Sequence, residues 1–171
     1  MDFSQFLSNV LSTIVGVGLA IWGAIWLDRK THKQTELIGE KEKKLRAFKV
    51  LSLINKELNY NLSALKTIDD NVPSTYKQLN TESWRAFSDG GEIKYIDNPD
   101  LLNSISIAYA SIKQFMVLYN KFFDSQYFPS ENTYSSLGDS LRNHTMKLKS
   151  DSIDFINQAI DQIEKIILKN N

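Results

Sequence analysis

A chain of 171 residues, 42% of them hydrophobic, is long enough to bury a core of its own, and its 20 basic and 20 acidic side chains leave a formal net charge of zero. That balance does not support a nucleic-acid binder of the ordinary basic kind. Without cysteine there is no disulfide framework, thiolate zinc site or cysteine nucleophile, which agrees with a reducing compartment.

The first element is Leu7 to Leu27, LSNVLSTIVGVGLAIWGAIWL, in which no side chain carries a charge. About 20 apolar residues in a helix, at about 1.5 Å each, cross the hydrocarbon core of a bilayer, so the stretch predicts a transmembrane span. Its flanks lack the basic n-region and small-residue cleavage site of a signal peptide, and the span is expected to persist as an anchor, residues 1–28. Seven basic residues fall between Asp28 and Ala47 and none precede the span. The positive-inside rule then predicts an inner (plasma) membrane protein, single-pass, with its N-terminus outside and its C-terminal domain cytoplasmic. Trp22, Trp26, Arg29, Lys30 and Lys33 are the expected membrane-interface residues, the indoles keeping their rings in the acyl boundary and their N–H groups near water.

Ser12, Gly16, Ala20 and Ala24 recur every fourth residue and share one helical face, with Gly23 beside it. Small residues at that spacing let two helices approach closely, and with no second span in the same chain the expected partner is another copy. From Asp28 to Lys49 there are eight basic and four acidic residues, and from Val50 to Asn171 twelve basic and fifteen acidic. The positive part thus lies next to the membrane, where anionic headgroups attract it, and the distal part is mildly acidic.

Lys30 to Ile68 has one glycine, Gly39, and no proline, and predicts one long helix. Its first part alternates acid with base and reads as a charged stalk, residues 29–44, leading to a helical bundle, residues 45–171. Leu45, Phe48, Leu51, Leu58, Leu62, Leu65 and Ile68, widened by Leu53 and Ile54, form an apolar face too broad for a two-stranded coiled coil. Asn55, Asn59 and Asn61 among them are expected to make interhelical or capping hydrogen bonds. Pro73 breaks the helix. A second helix is expected over about Ser74 to Phe87, with Tyr76, Leu79, Trp84 and Phe87 on its apolar side, stopping at Ser88, Asp89, Gly90 and Gly91, where glycine can take the left-handed conformation of a helix C-cap. Glu92 to Ile96 has room only for a very short extended piece, and a lone strand has nothing to pair with.

Asp97, Asn98 and Pro99 signal a helix start. The third helix, about Pro99 to Asp124, carries Leu102, Ile105, Tyr109, Ile112, Met116, Tyr119 and Phe123 at steps of three and four and is widened by Leu101, Ala108, Phe115 and Phe122, which predicts the central helix. A loop over Ser125 to Thr133 precedes a last helix, about Tyr134 to Leu168, with Leu137, Leu141, Leu148, Ile153, Ile156, Ile160, Ile163 and Ile167 closing the bundle antiparallel to the third. The fold class expected is all-α: one N-terminal transmembrane helix continuing into a stalk and a bundle of about four helices.

Chemical motifs are mostly missing. There is no glycine-rich phosphate loop, nucleophile elbow or zinc-protease helix, and the two histidines, His32 and His144, are not expected to hold a metal. Helical nucleases of the higher-eukaryote-and-prokaryote nucleotide-binding class place a histidine four to six residues after an arginine; Arg142 and His144 are separated by a single residue. Asn61-Leu62-Ser63 and Asn143-His144-Thr145 match the glycosylation pattern but are idle on a cytoplasmic domain. Asp69, Asp70, Asp97 and Asp100 read as helix-end residues. No cofactor, metal or catalytic residue is expected.

Glu57-Leu58-Asn59-Tyr60-Asn61, Trp84 ahead of Gly90, Leu101-Leu102, Tyr109 and Asn120 together resemble the pattern of small, uncharacterised prokaryotic membrane proteins with one N-terminal span and a helical cytoplasmic domain. In layout the chain is also similar to the small membrane accessory proteins of type VI CRISPR systems, whose Arg/His motif it lacks. The function expected is a membrane-anchored, homo-oligomeric scaffold or binding module without catalytic activity, whose partners are the lipid bilayer, its own copies and an unidentified cytoplasmic protein. The alternative is a pore-forming membrane effector or accessory protein, as in phage defence, using the polar face of Ser8, Asn9, Ser12 and Thr13.

Overall fold

The computed structural model describes residues 3–68, 79–127 and 135–169, without the side chains of residues 3–11, 13, 14, 126, 127 and 135–137. Among the described residues every regular element is helical: α1 (Phe3–Lys66), α2 (Glu82–Asp89), a 3₁₀ turn (Glu92–Tyr95), α3 (Pro99–Tyr127) and α4 (Ser135–Lys169). By internal contacts the chain divides into two compact units, Met1–Lys44 and Leu45–Asn171, and α1 contributes to both.

In the first unit nearly every described side chain is exposed. Thr31 and Thr35 donate their hydroxyls to the carbonyls of Leu27 and Thr31 one turn back, so these β-branched residues sit in the helix with their polar groups satisfied.

The second unit is built on α1, α3 and α4. Val50, Leu51, Ile54, Leu58, Leu65 and Ile68 of α1 pack with Leu101, Ile105, Ala108, Tyr109, Ile112, Phe115 and Tyr119 of α3 and with Ile156, Ala159, Ile160 and Ile163 of α4. α3 is buried at Leu101, Ile105, Ala108, Ile112 and Phe115 and again at Phe122, a face wide enough to pack on two sides, which its unbroken three-and-four spacing produces. α3 and α4 are in close contact. The seven residues between them reach at most about 25–30 Å, short of the roughly 43 Å length of a 29-residue helix, so α4 must run back antiparallel to α3.

Several local expectations are corrected. Leu45, Phe48 and Leu53 are 55%, 37% and 50% exposed. At about 100° per residue the buried row through Leu51, Ile54, Leu58, Asn61 and Leu65 faces away from them, so the core stripe of α1 is narrower than the leucine count suggests. The second helix begins at Glu82 rather than near Ser74; the stretch 69–78, with Asp69, Asp70, Pro73 and Tyr76, lies outside the described residues. The glycine stop after α2 is as expected: Gly91 (φ 68) takes the left-handed conformation, and Gly90 before it is right-handed. The two glycines answer different needs: a Cβ on Gly90 would come within 2.8 Å of the Ala86 carbonyl oxygen, whereas Gly91 has open space and an unusual φ. Glu92–Tyr95 is a 3₁₀ turn rather than extended, since a lone strand has no partner to supply its hydrogen bonds.

The helix start at Pro99 follows the signal in the sequence. The Asn98 side-chain oxygen accepts from the Leu101 N–H at 3.0 Å and its carbonyl from Leu102 at 3.1 Å. At the other end of α1, Lys149 donates to the Ile68 carbonyl at 2.7 Å, placing a cation where the helix dipole is negative.

One stretch among the described residues, Pro99–Ser125, is long and apolar enough to cross a membrane. It is the core helix α3, and its largest apolar side chains are spent inside the bundle. The N-terminal span expected over 7–27 is therefore not the stretch that meets this criterion, and the side chains of Leu7–Leu11, Thr13 and Ile14 lie outside the described residues.

Candidate functional site

The most organised polar cluster is built where α1 and α3 meet the chain entering α2. Glu57 and Asn61, one turn apart on α1, point into the unit and are 6% and 0% exposed. A carboxylate buried to this degree demands partners, because leaving water without them is costly. Glu57 Oε1 accepts the Tyr109 hydroxyl at 2.7 Å and Oε2 accepts the Ser83 N–H at 2.9 Å. Ser83 is the second residue of α2, so Glu57 supplies from another helix the acceptor that α2's first turn lacks locally, with the sign the helix dipole favours. Asn80 completes the start by accepting from Glu82 N–H at 2.9 Å, while Thr81, at the N-cap position, makes no side-chain cap bond.

Asn61 clamps the same segment from the next turn. Its amide nitrogen donates to the Asn80 carbonyl at 2.6 Å and its oxygen accepts from the Asn80 N–H at 2.7 Å, so one carboxamide satisfies both backbone groups of one residue. The Trp84 ring lies on that of Tyr109, with centroids 5.4 Å apart and planes 10° apart, covering the hydroxyl–carboxylate pair from the α2 side. Burial first, then the hydrogen bond to Glu57 and the carboxylate's charge, hold the Tyr109 hydroxyl far above the ordinary tyrosine range. Tyr109 is therefore a fixed donor, not a general base.

Of the three asparagines expected to bond between elements, Asn61 does so, whereas Asn59 reaches only back to Asn55 along α1, at 2.9 Å to its carbonyl. Four residues of the resemblance pattern, Glu57, Asn61, Trp84 and Tyr109, are brought together. Glu57 escaped the sequence reading as a partner of Tyr109, since a lone glutamate on an apolar helix ordinarily reads as solvated; its position four residues before Asn61 on the buried face was the available signal.

The other candidate residues stand as follows. Ser12, Gly16, Ala20 and Ala24 are exposed on α1, and a Cβ on Gly16, Gly18 or Gly23 would meet nothing within 4 Å. Ser8, Asn9 and Thr13 have side chains outside the described residues. Trp22 and Trp26 are exposed, and the Lys30 ammonium lies 5.1 Å from the centroid of the Trp26 ring. His32 Nε2 stands 3.8 Å from Asp28, an exposed pair one turn apart. His144 is exposed in a shallow depression with Ser140, Leu141, Asn143 and Lys147, all from α4. No group of three or more histidine, aspartate or glutamate side chains that could hold a metal occurs among the described residues.

No family model matches the chain, and no match to it is found among curated proteins or solved structures.

Proposed function

We propose that the protein is a membrane-anchored, homo-oligomeric helical scaffold or binding module, in which Leu7 to Leu27 spans the bilayer and the second unit is a cytoplasmic bundle. The observation that carries this reading is the state of the apolar side chains in the first unit. Val15, Val17, Leu19, Ile21, Trp22, Ile25, Trp26 and Leu27 are all about half exposed or more, within thirteen consecutive residues that hold no charge. In water such a surface would be a liability; in lipid it is the ordinary outer face of a span. α3, itself long and apolar enough to cross a membrane, contrasts with it, because most of its large apolar side chains are packed in the core. The basic residues following Leu27 orient the span, and Trp22 and Trp26 suit the interface at its inner end.

Self-association is assigned to the Ser12, Gly16, Ala20, Ala24 face, whose small side chains leave room for a second backbone. Alkaline extraction should leave the protein in the membrane fraction, and native mass in nanodiscs should give a species larger than the monomer that Gly16→Leu disrupts. Release by alkali would sink the anchor; a monomeric mass that Gly16→Leu leaves unchanged would sink the oligomer.

A further inference from the structure

Resting on that membrane reading, we propose that one face of α1 in the first unit, formed by Trp22, Trp26, Arg29, Lys30 and Lys33, is a binding surface for the headgroups of anionic phospholipids. At about 100° per residue these five positions fall within an arc of about 100°, so they form a single strip along the helix. All five are exposed. The indoles occupy the end of the strip on the apolar side and the three cations the polar side, which is the order in which a bilayer presents acyl boundary and phosphate.

Charge is segregated across this strip. Asp28 lies on the far side of the helix, where it stands 3.8 Å from His32. The next acid, Glu36, lies on the face of the strip but beyond Lys33, almost one turn further from the span. Arg29, Lys30 and Lys33 form no ion pair within the chain among the described residues, and the Lys30 ammonium stands over the Trp26 ring, 5.1 Å from its centroid. An ammonium on an indole and a neighbouring guanidinium leave their remaining N–H donors free for phosphate oxygens, the guanidinium in a bidentate manner. Gly16, Ala20 and Ala24 occupy the adjoining arc of the helix rather than this one, so a helix–helix contact through them leaves the tryptophan and basic strip facing lipid. Each basic residue near the surface favours an anionic over a zwitterionic headgroup by about fivefold.

The test uses full-length protein carrying Trp84→Phe, so that Trp22 and Trp26 are the remaining fluorophores, reconstituted in vesicles of fixed phosphatidylglycerol and phosphatidylcholine content. A minor fraction of one lipid or the other carries brominated acyl chains, which quench tryptophan on contact. Brominated phosphatidylglycerol should quench at least about twofold more strongly than brominated phosphatidylcholine. The difference should disappear in Arg29→Gln/Lys30→Gln/Lys33→Gln and persist in Lys41→Gln/Lys43→Gln/Lys44→Gln, which removes the same charge further along the helix. Equal quenching by the two lipids overturns the proposal while leaving the anchor intact; quenching by neither overturns the membrane reading itself. A preference that survives the first triple variant, or falls equally in both, belongs to the net charge of the chain and also overturns the assigned strip.

Discussion

Replacing Glu57 by alanine strands two donors at once. The Tyr109 hydroxyl is buried within α3's packed face and loses its acceptor outright, and the Ser83 N–H loses the acceptor that starts α2. A buried donor left without a partner costs about 1–3 kcal/mol. Ser83 is half-buried and can recover part of its bond from water, so the pair together should cost about 2–4 kcal/mol. For a unit of this size that lowers the unfolding midpoint by about 8–16 °C. Circular dichroism of the full-length protein in a membrane mimic measures the midpoint, and amide exchange over 79–89 reports where the loss falls. Exchange should rise there first, because α2 has no fully buried residue of its own. Adding Tyr109→Phe removes the orphaned hydroxyl, and the double variant should be less destabilised than the two single changes added together by about 1 kcal/mol. A midpoint within about 2 °C of wild type, with exchange over 79–89 unchanged, would refute the reasoning.

Asn61→Ala removes both hydrogen bonds to the Asn80 backbone and should speed exchange at Asn80, with a loss of about 1–3 kcal/mol in chemical unfolding. Tyr109 gives a pH dependence: its folded-state affinity for the proton is raised, so its contribution is complete below about pH 10 and declines above it, by about 1.4 kcal/mol per pH unit, as the unfolded chain gives up the proton that the folded chain keeps. Titrating unfolding stability between neutral and strongly alkaline pH should show that slope reduced in Tyr109→Phe. Gly91→Ala places a side chain at φ 68 and should destabilise by about 1 kcal/mol in a thermal melt despite the open space around it. The Ser152 hydroxyl is buried with no hydrogen-bond partner among the described residues, so Ser152→Ala should leave the midpoint unchanged or raise it, worth up to about 1 kcal/mol.

How legible each feature is in the sequence depends on how local its cause is. The core face of α3 can be read residue by residue, because steps of three and four put Leu101, Ile105, Ile112 and Phe115 on one side of any helix. The start of α3 is as plain, since Asn98 and Pro99 carry the cap themselves. α2 is different: its first-turn partners are Asn80 from its own approach and Glu57 from 26 residues back, and no local rule announces the second. The same holds for Asn61, which resembles Asn55 and Asn59 in the sequence but alone faces the segment 19 residues further on.

The apolar run from Val15 to Leu27, its small-residue spacing and its basic flank are properties of composition and helical periodicity, and the sequence determines them unaided. So is the all-helical character of the described residues, since good helix formers and breakers act within a few residues. Tertiary structure decided which of two apolar helices is consumed by a core, because burial depends on what other elements cover: α3 is packed against α1 and α4, whereas the side chains from Val15 to Leu27 stay exposed. It also decided that Leu45, Phe48 and Leu53 remain outside while Glu57 and Asn61 go in. An apolar residue is buried only where a neighbour meets it, and a polar one can be buried only where its hydrogen bonds are completed.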